Sequence, residues 1–272
     1  MLTAASPGSA HLTFSRHGSA TVLTRAFAAS PAKLIETKRH GIACWVYAAT
    51  FGGGIVGGDD IQLRATVTAG ARALLTTQAS TKVYRSLRPA RQSLSAVVDA
   101  NALLAVVPDP VVCFAGANFT QAQRYDLDAE ASLVMVDWLT SGRHASGERW
   151  AFSRYESRFD VRRASRRIFL DGVVLEHNLD GVADRMRGFD VLLTAVITGP
   201  LVAAAAAGIL NEITCAPVER GARTITSAAR LRDGGTLLRM AGTSVEQIGR
   251  QLRTHLAFLA PLVGDDLWSR KW

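Results

Sequence analysis

Apolar and polar residues alternate strictly in the stretch where Ile61, Leu63, Ala65 and Val67 are interleaved with Gln62, Arg64, Thr66 and Thr68, the period-2 signature of a half-buried strand. Similar strand patterns are read at 92–98, at 119–127, at 150–161 and at 167–175, the last bounded by an Asp171-Gly172 turn. Three further stretches, opening at Ala69, Ala100 and Ala129, share a small-polar-small turn that runs into an apolar strand, and their starts lie 31 and 29 residues apart. A recurrence of about thirty residues is what stacked β-layers produce, because each layer buries its face on the next. The pattern predicts a mostly β protein, a layered β-solenoid-like body over 1–180, followed by a small mixed α/β cap over 181–272 with about two helices. No linker divides the halves, so the chain 1–272 reads as one domain.

The cap is read from 3.6-residue periodicity. A helix at 244–260 presents Val245, Ile248, Leu252, Leu256 and Leu259 on one face, leaves Arg250 and Arg253 outside, and starts at a Thr243/Glu246 capping pair. Between Val191 and Leu210 no charged residue occurs over 20 positions, the length of a bilayer span, but Gly199-Pro200 interrupts the run. A buried strand at 189–197 and a helix from near Pro200 to about Asn211 account for it without a membrane. The segments 224–231 and 236–240 flank Asp233-Gly234-Gly235 as a hairpin.

Charge and cysteines narrow the classes. A formal net charge of +8 raises the question of nucleic acid, and Arg154, Arg158, Arg162, Arg163, Arg166 and Arg167 are the densest basic cluster. No stacking platform or nucleic-acid-binding motif accompanies them, so they read as a solvated basic face suited to acidic protein partners. Three widely spaced cysteines and an N-terminus without a secretory pattern point to the cytoplasm.

Chemistry-bearing motifs are few. Gly52, Gly54 and Gly57 satisfy G-x-G-x-x-G, but these glycines, with Gly53 and Gly58, open a strand and not a helix, so no amide cradle for a pyrophosphate is predicted. No Gly-Lys-Ser/Thr follows, which removes the P-loop reading as well. Six histidines show no ligand spacing, His177 beside Glu176 being the best exception. The informative residues are carboxylates in apolar strands: Asp137 after Leu133-Val134-Met135-Val136, Asp109 between two prolines, and Glu176 after Val173-Val174-Leu175. Such groups need partners, and Lys82, Arg85, Arg143 and Arg149 are candidates. Structural ion pairs and turn caps explain them, and so does a polar passage through a β body.

Several segments, in this order and spacing, resemble the urease accessory protein D family, UreD, called UreH in some organisms. They are Gly52-Gly53-Gly54-Ile55-Val56-Gly57-Gly58-Asp59; Leu74 to Ala79 with Lys82-Val83-Tyr84-Arg85-Ser86; Leu103 to Pro110 leading to Phe114-Ala115-Gly116-Ala117; Asp137 to Arg143 with Gly147-Glu148-Arg149-Trp150; and Arg270-Lys271-Trp272. The resemblance implies a non-enzymatic scaffold that binds urease structural subunits and the accessory proteins F and G, the latter a GTPase that brings nickel. It implies a largely β fold of helix-like layers, and a nickel ion held only transiently in an internal passage, with no permanent cofactor. By the same resemblance Asp59, Thr81, Asp137 and Glu176 fall at tunnel-lining or functionally sensitive positions, to which Lys82, Tyr84, Arg85 and Arg143 are added by motif. Thr50-Phe51 before the glycines and Trp268-Ser269 before Arg270 depart from the family pattern. The competing reading is a stand-alone β-solenoid enzyme acting on an acidic polymer, with Asp137 and Glu176 as its acid/base pair.

Overall fold

A computed structural model describes residues 6–37, 41–176, 181–217 and 219–269. In chain order the strands are β1 (Ser9–His17), β2 (Ala20–Ala28), β3 (Ala32–Glu36), β4 (Cys44–Thr50), β5 (Asp60–Val67), β6 (Arg72–Thr77), β7 (Thr81–Val83), β8 (Ala90–Val98), β9 (Leu103–Val106), β10 (Val111–Cys113), β11 (Asn118–Leu127), β12 (Ser132–Thr140), β13 (Arg154–Arg163), β14 (Arg166–Glu176), β15 (Val191–Thr198), β16 (Thr224–Arg230) and β17 (Thr236–Gly242). The helices are α1 (Val182–Met186), α2 (Ala203–Cys215), α3 (Val245–Leu256) and α4 (Ala260–Val263).

The strands form two sheets. The first runs β14-β13-β11-β8-β5-β1-β2, the second β16-β17-β15-β12-β9-β6-β4-β3, with β10 joined to β12 and β7 to β10. From β4 to β13 the long strands fall alternately in the second and the first sheet, and within each sheet these middle strands are parallel. One circuit through both sheets therefore takes about thirty residues. The register shows it directly: Arg72 lies opposite Leu103 and Leu103 opposite Ser132, spacings of 31 and 29.

The circuit does not extend into the predicted β-solenoid. Both sheets are open, and antiparallel strands flank the parallel middle: β2 and β14 in the first, β3, β15, β17 and β16 in the second. The layering signal stops at β12, after which the chain turns back beside its own last layer as β15. A further difference concerns the β13–β14 hairpin. Its turn is Ala164-Ser165, both at positive φ (45° and 66°), while Asp171-Gly172 lies inside β14 and β13 begins only at Arg154.

Three apolar clusters order the layers. Two of them lie between the sheets, one containing Leu12, Phe14, Leu104, Tyr125, Leu133 and Met135, the other Ile55, Ile61, Phe119, Leu139, Trp150 and Phe152. The third, with Val134, Val136, Trp138, Leu193, Ile209, Ile248 and Leu252, packs the opposite face of the second sheet against the helices. Central strands of that sheet are thus covered on both faces, which is why β12 is buried at every position.

Helix α2 follows a single 3-10 turn at Pro200–Val202 and continues to Cys215, past the predicted end. Helix α3 is capped by Ser244, whose Oγ accepts from the Gln247 amide at 3.3 Å; Thr243 is one residue too early to cap it. Among the described residues no helix is long and apolar enough to cross a membrane. Cys44 and Cys113 are buried thiols and Cys215 is exposed.

Candidate functional site

Along β12 the side chains alternate between the two faces of the second sheet. Met135 joins one inter-sheet cluster and Leu139 the other, so Asp137, midway between them, enters the space between the sheets where the two apolar clusters part. The facing row of the first sheet is polar: Gln92 of β8, Gln121 of β11 and Ser157 of β13 lie opposite one another in register. Gln121 Nε2 donates to Asp137 Oδ1 at 2.8 Å, and Tyr155 OH reaches Oδ2 at 3.4 Å. Asp137 is 8% exposed. Its desolvation pushes the carboxyl up to about 6, against the two hydrogen bonds, which pull the other way. Both of those partners are neutral, so neither compensates the charge.

Asp137 lines a cavity of about 60 Å³ together with Asp109, Thr77, Thr81, Gln92 and Gln121. Asp109 is tied to Thr77, whose Oγ1 donates to the carboxylate at 3.1 Å and accepts from the Asp109 amide at 2.7 Å. A second hollow, of about 130 Å³, reaches outward to Gly53, Gly54, Ser80 and Lys82. Ala48, Leu63, Thr77, Thr81 and Gln92 line both. The two hollows therefore adjoin, and the side chains they share connect Lys82 at the surface with the carboxylates of Asp109 and Asp137. Beyond Asp137 the same row of the second sheet continues through Thr194 of β15 to Arg239 of β17, and Arg239 closes onto Asp171 of the first sheet at 2.8 Å.

The outer end is built by the glycine segment. Ile55 donates to Lys82 O at 2.8 Å and accepts from the Tyr84 amide at 2.9 Å, so the two sequence motifs are clipped together as a short parallel bridge. Two glycines are fixed by this approach: a Cβ at Gly54 would lie 2.8 Å from Lys82 O, and one at Gly57 would fall inside the Ser86 side chain. Gly52, Gly53 and Gly58 turn the chain at positive φ. No helix follows, only β5, as the sequence predicts.

The remaining sequence-predicted residues divide. Thr81 lines both hollows, and Lys82 stands exposed at the outer one. Asp59 accepts from the Val56 amide at 2.9 Å and so ties down the glycine turn, lining neither hollow. Tyr84 packs edge-on against Phe114, and the Arg143 guanidinium lies 4.4 Å from that ring's centre while pairing with Glu148. Glu148 also accepts from the Ala115 amide at 3.0 Å, and these contacts with Arg143 and the backbone hold its carboxyl below the usual range. Arg85 is exposed, its stem against Gly116. Arg149 pairs with Asp190 at 2.7 Å. Hence Arg143 and Arg149 neutralise acids other than Asp137.

Glu176 is not beside Asp137. It lies opposite Arg154 in the β13–β14 register and forms an ion pair with it. The neighbouring pair, Tyr155 and Leu175, is the one that packs inward, so alternation sends Arg154 and Glu176 to the outer face. His177, His40 and Arg270-Lys271-Trp272 lie outside the described residues. Sequence reasoning missed Gln92, Gln121 and Tyr155. A signal existed for the glutamines: the inward phase set by Leu94, Ala96 and Val98 includes Gln92, and that of Phe119, Tyr125 and Leu127 includes Gln121. Among the described residues no three His, Cys, Asp or Glu side chains converge as a metal site.

Comparison with known proteins adds the family. The model described as "UreD urease accessory protein" matches residues 6–272. A protein of Sorangium cellulosum named urease accessory protein UreD is 51% identical over 265 residues, covering 97% of this chain and 84% of its own. One of the same name from Anaeromyxobacter is 42% identical over 97% of this chain and 89% of its own, and the rice urease accessory protein D is 36% identical over 90% of each chain. With its whole described length matched and half its residues shared with such a relative, this chain belongs to the UreD family of urease accessory proteins.

Proposed function

We propose that the chain serves urease maturation as a non-catalytic scaffold, holding apo-urease and the accessory proteins F and G and passing nickel along the inter-sheet path through Asp137. The observation that carries this reading is the pair of adjoining hollows that end at a buried carboxylate with neutral partners. At neutral pH a carboxyl titrating near 6 is mostly ionised, and in a low-dielectric seam it favours a cation strongly. The carboxylates of Asp137 and Asp109, with amide and hydroxyl oxygens, hold a divalent ion without the imidazole or thiolate cluster that would keep it. Nickel can then both enter and leave. The Asp171–Arg239 pair stands at the far edge of the same polar row and suits an exit that opens when a partner docks.

The scaffold half of the proposal draws on the family and on the surface around the outer end. Phe51, Val56 and Leu87 are exposed apolar residues on the segments that frame it, with Lys82, Arg85 and Arg88 beside them. An apolar rim set among basic groups suits an acidic protein partner. The acid/base reading gains no such support, since Glu176 is held on the outer face by Arg154 while Asp137 lies between the sheets. The reducing cytoplasm fits three thiols free of disulfides.

The test is reconstitution of apo-urease with the native chain or Asp137→Leu, the accessory proteins F and G, nickel and GTP. Nickel per urease active site is measured alongside co-purification of the complex. The leucine variant is expected to assemble normally and to lower nickel content several-fold. Nickel content equal to native, with assembly intact, would refute the passage; failure of the native chain to co-purify with urease or protein F would refute the scaffold.

A further inference from the structure

On the far side of the second sheet from Asp137, a separate hollow of about 400 Å³ lies among α2, α3 and the edge strand β16. Glu212 from α2, Gln251 and His255 from α3, and Thr224 from β16 line it. Three atoms there, Thr224 Oγ1, Gln251 Oε1 and His255 Nδ1, are buried with no hydrogen-bond partner. Buried polar atoms are ordinarily satisfied, so three orphans in one hollow are unusual. They are also of one kind, since an amide oxygen only accepts, and a hydroxyl and an imidazole nitrogen can accept. No Lys or Arg is among the described residues that line the hollow, and Glu212 adds a carboxylate, in a chain whose net charge is +8. The set asks for a positive ligand.

The spacing of two of these groups narrows the class. His255 Nδ1 and Glu212 Oε2 are 3.9 Å apart. That is too long for a hydrogen bond. Two ligands each about 2.0–2.2 Å from one tetrahedral ion lie about 3.4 Å apart, so the exposed Glu212 carboxylate has only about half an ångström to close for the two to share one. Gln251 precedes His255 by one helical turn, on the same face of α3, and Thr224 lines the hollow from β16. The geometry points to a binding site for a divalent first-row transition ion, zinc or nickel in class, on His255 Nδ1 and Glu212, with Gln251 and Thr224 oxygens and water completing the shell. An imidazole in the set selects this class over magnesium and calcium, which take oxygen shells. The site is independent of the inter-sheet path, from which the second sheet separates it.

Zinc chloride and nickel chloride are titrated calorimetrically into the purified full-length chain, and cobalt chloride is used with proton NMR of the histidine rings. Native protein is expected to bind one ion saturably at this site, with the His255 ring protons shifted by cobalt. Removing a ligand weakens such sites by at least about tenfold, so Glu212→Gln and His255→Ala are each expected to lose that much affinity. Glu212 is 66% exposed and its replacement leaves the packing intact, so Glu212→Gln decides the matter if His255→Ala fails to fold. Absence of saturable binding to the native chain, or native affinity in Glu212→Gln, would overturn the site.

Discussion

Replacing Asp137 by asparagine keeps the side chain's size and its acceptor for Gln121, removes the ionisable proton, and turns the oxygen that Tyr155 approaches at 3.4 Å into an amide donor, a change that does not vary with pH in this range. Burial raises this carboxyl from the ordinary 3.8 to about 6. At roughly 1.36 kcal/mol per tenfold change in proton affinity, the folded state gives up about 3 kcal/mol to keep the charge buried above pH 7. The direction follows from proton counting. Between about pH 4 and 6 the folded chain keeps a proton that the unfolded chain has released, so native stability falls as pH rises through this window. Below the unfolded value both states are protonated and the penalty disappears. The asparagine amide carries no charge, and every other group titrates alike in both proteins, so the difference between them isolates this one site. Urea unfolding at pH 4, 5 and 8 measures it. The variant is expected to be more stable than native by about 3 kcal/mol at pH 8, about 1.5 at pH 5 and about 0.5 at pH 4. A gap that stays constant with pH, or native protein that is the more stable at pH 8, would refute the claim that desolvation governs Asp137.

Two further substitutions probe the packing of the two-sheet frame. Gly57→Ala drives a methyl group into Ser86 and to 2.8 Å from Arg88 O, and overpacking of this kind costs about 1–3 kcal/mol, read as a lower urea midpoint. Arg163→Met removes a buried guanidinium that donates to the carbonyls of Ala129 and Ala131 at 2.9 and 2.8 Å and to Thr198 Oγ1 at 3.1 Å; the unsatisfied acceptors are expected to cost about 1–3 kcal/mol in the same assay, with urea m-values unchanged.

Strand positions and the thirty-residue layering were legible because period-2 alternation and the small-polar-small turns are local signals. How far the layers continue is not a local property. It depends on β12 being flanked by the antiparallel β15, a pairing that brings together residues far apart in sequence. Asp137 could be recognised as buried because its strand is apolar on both faces, whereas Glu176 could not be placed, since Val173-Val174-Leu175 gives no alternation from which to read its phase. The register with Arg154 supplies that phase. Gln92 and Gln121 resembled solvent-facing residues by type, and only the phase of their neighbours shows them turned inward.

The energetics of the seam bear on why it exists. The inter-sheet space is apolar at both ends, and Asp137 lies where Met135 and Leu139 hand over from one cluster to the other. A methylene-rich side chain there would join the two clusters into one core and remove a penalty of about 3 kcal/mol. A stability argument therefore cannot account for the carboxylate, and neither can pairing, since Gln121 and Tyr155 are neutral and only partly offset its desolvation. The polar row that faces it extends through Gln92, Gln121 and Ser157, with hollows leading outward on the Gln92 side. On the proposed reading, a cation moving along that path supplies the compensation that Gln121 and Tyr155 do not, and the unfavourable placement of Asp137 is what the proposal explains.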